Sequence, residues 1–132
     1  MDAYKAEMRA WKNTYAADMA RYYQIVSGMK NPLRPSATEV QAAKDLDVLL
    51  SDMVRDLEGI RPPAGYANPH AEYLASMKEL AEGVHDLAEA LDDGKSYQTL
   101  KAIADIAVTW EQGKPARTTM ESALGFSLSG QG

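Results

Sequence analysis

The chain has 132 residues and a net charge of −5, and its 45% hydrophobic and 25% charged residues are typical of one globular domain. It contains no cysteine, which excludes disulfides, thiolate catalysis and thiolate-bound metals. No apolar run approaches the roughly 18 residues that a membrane-spanning helix needs, so no transmembrane segment is expected.

Apolar residues at spacings of three and four predict a first amphipathic helix over residues 2–29. Gly28 and the pair Asn31-Pro32 end it. An aromatic and methionine-rich stripe of this kind either lines a pocket for a flat ligand or forms ordinary core, and we favour core. The stripe consists of Tyr4, Met8, Trp11, Tyr15, Met19, Tyr22, Val26 and Met29.

A helical hairpin follows, made of helices over residues 37–60 and 69–91. Ser36 and Glu39 have the spacing of a capping box, which predicts the start of the second helix. Pro62 and Pro63 must end that helix, because proline lacks an N–H and its ring clashes with the preceding turn. Gly94 is expected to end the third helix in a left-handed conformation.

A fourth helical segment is predicted over residues 96–124, with a kink or break near residues 113–115, where Gly113 and Pro115 interrupt it. Residues 116–124 either continue this helix or fold back. Residues 127–132 are expected to form a flexible tail. The chain is therefore predicted to be all-α, with residues 1–126 forming one antiparallel up-down four-helix bundle. The apolar stripe of the fourth helix is Tyr97, Leu100, Ile103, Ala107 and Trp110.

Charge is unevenly distributed along the chain. Residues 37–94 hold four Lys/Arg and thirteen Asp/Glu, a balance of −9, whereas residues 1–36 hold six and three, a balance of +3. An acidic surface repels phosphate, so no nucleic-acid partner is expected. We expect a solvated acidic face that pairs in part with the basic first helix.

The sequence contains no pattern that indicates catalysis or a cofactor. It has only two histidines, no glycine-rich phosphate loop and no nucleophile placed beside a histidine, so we expect a protein that is not an enzyme. Glu82, His85 and Glu89 share a helix face and form a weak candidate for a cation site. A solvated, ion-paired histidine is the favoured interpretation of His85.

His70 is the more informative histidine, because it falls in the first turn of the third helix, beside the diproline joint. It either contacts a ligand at the end of the bundle or is a structural residue that bonds the backbone of residues 61–66, and we favour the structural role. If a binding surface exists at this end, its candidate residues are Arg61, Tyr66, His70 and Tyr73, with Trp11 behind them.

Several short motifs occur in a suggestive order: Tyr4 and Trp11, Asn31-Pro32, Arg61-Pro62-Pro63, His70 before Glu-Tyr-Leu, an Asp-Gly turn, and Leu124-Gly125-Phe126. In this order the chain resembles the mature domain of small bacterial secreted proteins and lipoproteins that fold as helical bundles. The resemblance covers most of residues 4–126. It implies a fold and an extracytoplasmic location, and it implies no activity.

Three functions follow as hypotheses. The first is a non-enzymatic, extracytoplasmic binding module for an unknown protein or small ligand. Its expected oligomeric state is a monomer or a weak homo-oligomer. The second is a cytoplasmic assembly subunit that self-associates through a helix face, with Trp11 and Trp110 as anchors, since large aromatics dominate interface energetics. The third is a weak binder of divalent cations.

Overall fold

The computed structural model of the protein describes residues 2–128, and all regular structure in that range is helical. The predicted all-α class is confirmed. Five α-helices are present: α1 (Asp2–Ser27), α2 (Ala37–Gly59), α3 (Ala67–Asp93), α4 (Ser96–Gln112) and α5 (Lys114–Leu124). A short 3-10 turn, Ala64–Tyr66, precedes α3.

The start and end of α2 follow the predicted local chemistry. The Ser36 hydroxyl accepts the backbone N–H of Glu39 at 3.1 Å, and the Glu39 carboxylate accepts the Ser36 N–H at 2.8 Å, which confirms the capping box. At the other end Ile60 is already extended, with φ −82° and ψ 124°, ahead of Pro62 and Pro63. The diproline joint therefore ends α2 at Gly59.

Gly113 divides the fourth predicted segment into α4 and α5. A Cβ atom at this position would lie 3.2 Å from the Cβ of Ser76 on α3 and 3.1 Å from a guanidinium nitrogen of Arg117. The absence of a side chain lets the junction approach α3 closely. Residues 116–124 thus belong to a separate helix that packs on α3.

Helix α3 occupies the centre of the fold, since it packs against α2, α4 and α5, while α1 packs against α2. A large apolar cluster surrounds the amino-terminal half of α1, and a smaller one joins α2, α3 and α4 near the far end of α3. The smaller cluster is built from Ala43, Leu87, Ala88, Leu91 and Ala102. Small residues there allow the helices to lie close together.

Ion pairs join the two helices of the acidic hairpin. Lys44 contacts Asp92 at 2.7 Å and Lys78 contacts Glu58 at 3.5 Å, both between α2 and α3. Helix α1 meets the hairpin's acidic side through a hydrogen bond from the Tyr15 hydroxyl to Asp56. Arg21 of α1 is also attracted electrostatically to Asp45 of α2, so partial pairing of the acidic face with the first helix stays a prediction.

Residues 127 and 128, assigned to a tail by the sequence, are held against α5. The Leu128 side chain is only 9% exposed, and its N–H donates to the Glu121 carboxylate at 2.6 Å. The Ser127 hydroxyl donates to the same carboxylate oxygen at 3.0 Å. Residues 129–132, the rest of the predicted tail, lie outside the described residues.

Candidate functional site

Four of the five predicted binding residues lie inside the fold. Trp11, Tyr66, His70 and Tyr73 are between 3% and 8% exposed, whereas Arg61 is at the surface. The rings of Trp11 and Tyr73 meet edge to face, with centroids 6.0 Å apart. The structure thus brings these residues together as core. A ligand would reach the four buried rings only if the helices separated, and binding at this end stays a prediction.

His70 joins α3 to α1 and α2 through both ring nitrogens. Its Nε2–H donates to the Leu57 carbonyl at 3.2 Å, because a carbonyl oxygen can only accept. That assignment leaves Nδ1 as the acceptor for the Tyr4 hydroxyl at 2.7 Å. Burial lowers the pKa of His70, which keeps the ring neutral, and also raises the pKa of Tyr4 to about 12.

These contacts support the structural role of His70 that the sequence favours, but with a different partner. Leu57 lies in the last turn of α2, and its carbonyl accepts the backbone N–H of Ile60 at 3.2 Å in addition to the His70 ring. We expected the ring to bond the backbone of residues 61–66 instead. The contact with Tyr4, 66 residues away, has no local sequence signal.

His85 lies in the wall of a cleft of about 360 Å³ between α2 and α3. Its Nδ1 is 2.9 Å from the Asp47 carboxylate on α2, and its Nε2 is 2.9 Å from Glu89, one turn along α3. The hydrogen bond that the His85 ring donates to the Asp47 carboxylate is the largest cause of the raised pKa of His85. The sequence identified Glu89 by helical spacing, but it did not identify Asp47 as a partner of His85. The cleft is lined by Asp47, Ser51, Ala81, Glu82, His85 and Asp86.

This geometry matches the ion-paired interpretation of His85. Both ring nitrogens face carboxylates, an arrangement that favours the protonated ring, whereas a metal ligand must offer a bare nitrogen. Within residues 2–128 no group of three histidine or acidic side chains is arranged to hold a metal ion. The cation candidate of Glu82, His85 and Glu89 therefore gains no support from the geometry.

We expect His85→Gln to destabilise the protein more at pH about 5.5 than at pH about 8.5. A raised pKa in the folded state adds stability that is complete below about 6.5, the value in the unfolded chain, and disappears as pH rises through the folded pKa. Because the site is exposed, the effect at low pH should stay below about 1 kcal/mol. Urea denaturation at both pH values measures it. Asp47→Asn should reproduce the trend, and an equal loss at both pH values would contradict it.

The outward face of α4 carries apolar side chains with no partner in the described structure. We define this α4 outward face as Tyr97, Leu100, Ala104, Ala107 and Val108. Tyr97 is 74% exposed, Leu100 48% and Val108 54%, and both alanines are exposed. The predicted apolar stripe of this helix is therefore not one buried face: Tyr97, Leu100, Ala107 and Trp110 are exposed, and only Ile103 is partly buried.

The side of α4 that faces α3 carries both small and large residues. The buried residues of α4 are Thr99 and Ala102, with Ile103 and Ile106 on the same side. Gly83 of α3 meets Ile106 so closely that a Cβ atom there would lie 3.0 Å from the Ile106 side chain. The missing side chain of Gly83 therefore makes room for Ile106 at this contact. The signal available in the sequence was the apolar arc of α4, which is too wide for one neighbour to cover.

The two tryptophans have different environments. Trp11 is 5% exposed, and its indole N–H donates to the Met53 carbonyl at 2.9 Å. Trp110 is 43% exposed, with the Arg117 guanidinium 3.6 Å from its ring centroid. Of the two anchors predicted for self-association, Trp110 is thus accessible and Trp11 belongs to the core.

Comparisons with known proteins identify no relative. No protein-family model matches the chain, and neither the curated proteins nor the solved structures give a match. Among residues 2–128, no helix combines the length and apolarity needed to cross a membrane.

Proposed function

We propose that the protein is a non-enzymatic interaction module that binds another protein surface through the α4 outward face. The observation that supports this most is the exposure of Leu100 and Val108, together with Tyr97, on one side of a helix whose other side is already packed. Contiguous exposed apolar surface is characteristic of interaction sites. Aromatic residues such as Tyr97 are enriched in such interfaces.

The environments of the two histidines favour a non-catalytic role. His70 is neutral, buried and bonded at both nitrogens, and His85 is held between two carboxylates. Neither arrangement leaves a free nitrogen beside a serine or threonine that a general base would activate. As part of the same proposal, α1 to α4 form an antiparallel up-down bundle with α5 added to one end, and the protein acts outside the cytoplasm.

The proposed contact surface lies on α4, whereas the sequence predicted one at the Arg61 end of the fold. The residues predicted at that end, Tyr66, His70 and Tyr73, are already packed against other helices, so their burial is accounted for by folding. The exposure of the apolar residues on the α4 outward face is not accounted for by folding. Binding there requires no separation of the helices.

The test is the double variant Leu100→Glu/Val108→Glu, matched by Leu33→Glu/Val48→Glu. The control replaces residues of similar exposure, 49% and 62%, outside α4. Tagged proteins are used to capture partners from extracts of the native cells, with quantitative mass spectrometry as the readout. We expect the α4 variant to capture at least about tenfold less of its specific partner than the native chain does. The control variant should capture as much partner as the native chain. The proposal would be refuted if the α4 variant and the control captured equal amounts of the partner and both had unchanged melting temperatures.

A further inference from the structure

Helix α5 is attached to the rest of the fold by few buried side chains. Of its eleven residues only Met120 and Leu124 are buried, whereas the central helices α2 and α3 bury seven and nine residues. Helix α4 also buries only two residues, but it packs far more extensively against α3 than α5 does. Few buried apolar contacts are characteristic of segments that open while the remainder of a protein stays folded. Helix α5 therefore has the features of a locally opening segment.

Residues 125–128 form one unit with α5, and we define the α5 unit as residues 114–128. The Glu121 carboxylate accepts the Leu128 N–H at 2.6 Å and the Ser127 hydroxyl at 3.0 Å. The Gly125 N–H donates to the Glu121 carbonyl at 2.8 Å, and the left-handed conformation of Gly125 ends the helix. All three bonds lie within the unit, so they remain when it separates from the other helices.

The α5 unit covers a groove lined by aromatic side chains of α1, the 3-10 turn and α3. We define this α5 groove as Tyr4, Tyr66 and Tyr73. The Met120 sulfur lies 3.8 Å from the Tyr4 hydroxyl oxygen, and the Tyr66 hydroxyl donates to the Ala123 carbonyl at 3.2 Å. Tyr73 belongs to the same apolar cluster as Met120. Two of the predicted binding residues, Tyr66 and Tyr73, therefore line a groove that α5 covers.

The junction between α4 and α5 supplies a pivot. Pro115 has no N–H, so the helical hydrogen bond that would reach back to the Glu111 carbonyl is missing there. Gly113 lies between the two helices, and it has no side chain to oppose a change of its backbone angles. The α5 unit can therefore rotate about residues 113–115 while the hydrogen bonds within α4 are kept.

The chemistry of the α5 unit indicates which ligand the α5 groove fits. Its three buried aliphatic side chains follow one another at spacings of four: Met120, Leu124 and Leu128. Amphipathic helices that bind in grooves use anchors at such spacings. Beyond them the Phe126 ring lies 4.6 Å from the Arg9 guanidinium and 5.8 Å from the Lys12 ammonium of α1. A foreign helix with large aliphatic anchors and a neighbouring aromatic ring would reproduce these contacts.

We propose that the α5 unit is a lid that occupies the α5 groove and opens about Gly113 to admit an amphipathic helix of a partner protein. This groove is separate from the α4 outward face, so the inference goes beyond the proposed function. The closed lid competes with the partner helix. Only the open fraction of molecules binds, and the apparent affinity falls by that fraction.

Hydrogen exchange of the native chain, followed by mass spectrometry, tests whether the lid opens on its own. We expect backbone amides of α5 to exchange at least about 100-fold faster than those of α2 and α3. Leu91→Ala is the discriminating variant, because Leu91 is 4% exposed in the smaller apolar cluster, away from α5. It should speed exchange in α2 and α3 and leave α5 unchanged. Equal protection of all three helices, or equal acceleration by Leu91→Ala, overturns the lid.

A labelled synthetic peptide of residues 113–128 serves as a model for the partner helix, with fluorescence anisotropy as the readout. Leu124→Ala in the full chain weakens the closed lid, since Leu124 is 3% exposed and anchors it. The peptide should therefore bind this variant at least about tenfold more tightly than it binds the native chain. A peptide carrying Met120→Glu and Leu124→Glu should bind at least about tenfold more weakly than the native peptide.

Leu91→Ala is again the matched control, because it removes an equally buried leucine without loosening α5. The native peptide should bind Leu91→Ala no more tightly than it binds the native chain. Equal affinity for Leu91→Ala and Leu124→Ala would mean that general loosening admits the peptide, and the inference would fail. It would also fail if about 500 µM peptide did not bind the Leu124→Ala chain.

Discussion

Trp11→Ala is expected to lower the free energy of unfolding by about 3–5 kcal/mol, a large part of the about 5–15 kcal/mol of a typical domain. The substitution removes a nearly buried indole that packs edge to face against Tyr73 and also contacts Tyr15. It also deletes the hydrogen bond from the indole N–H to the Met53 carbonyl. A cavity would remain between α1, α2 and α3.

Trp110→Ala is the matched control, because it removes the same side chain from a surface position. The Trp110 ring is 43% exposed and stacks with Arg117, a contact worth about 0.5–1 kcal/mol at an exposed site. Urea denaturation of both variants at low protein concentration gives the comparison. If Trp110→Ala lowered the free energy of unfolding as much as Trp11→Ala does, the result would contradict the burial assigned to the two residues.

His70→Leu is expected to cost about 2–4 kcal/mol, although leucine keeps much of the volume of the ring. The Tyr4 hydroxyl and the Leu57 carbonyl would both lose their imidazole partner. Burial without a hydrogen bond is expensive for a hydroxyl group. Stability measured by urea denaturation at pH about 7.5 gives the cost.

A double-mutant cycle with Tyr4→Phe separates the hydrogen bond from packing. Tyr4→Phe alone leaves Nδ1 of His70 without its donor, and His70→Leu alone leaves the hydroxyl without its acceptor. Removing both groups should therefore cost less than the sum of the single variants, by about 1–2 kcal/mol. Strict additivity would contradict direct coupling between the two side chains.

The pH dependence of His70 has the opposite sign to that of His85. The pKa of His70 is lowered in the folded protein, so its neutral form is favoured there. Its contribution to stability is complete above about 6.5, the unfolded value, and is lost as pH falls toward the folded pKa. His70→Leu should therefore be less harmful, relative to the native chain, at pH about 5 than at pH about 7.5.

The two histidines show how far local spacing predicts a site. Helical periodicity correctly places His85 one turn from Glu89, because residues at i and i+4 share a helix face. Spacing along one helix contains no information about Asp47, which reaches His85 from α2. The contact between Tyr4 and His70 was likewise hidden, since it depends on how α1 lies across α3.

The face of α4 illustrates a second limit. Periodicity placed Tyr97 and Leu100 in one apolar stripe with Ile103, but the structure leaves both of them exposed. Apolar side chains cover more of α4 than α3 can contact, so hydrophobicity alone does not determine which of them are buried. Gly83 of α3 makes room for Ile106 on the inward side of α4, and Tyr97 and Leu100 remain exposed on the other side.

The amino-acid sequence by itself determined the all-α class, the capping box at Ser36, the end of α2 before Pro62, and the break at Gly113. Each of these depends on backbone chemistry within a few residues, such as a missing N–H or an available side-chain oxygen. Only the tertiary structure decided that His70 bonds Tyr4 and Leu57, that Asp47 pairs with His85, and that Leu100 faces outward. Those outcomes depend on the packing of separate helices, whose relative rotation is determined by contacts between residues far apart in the chain.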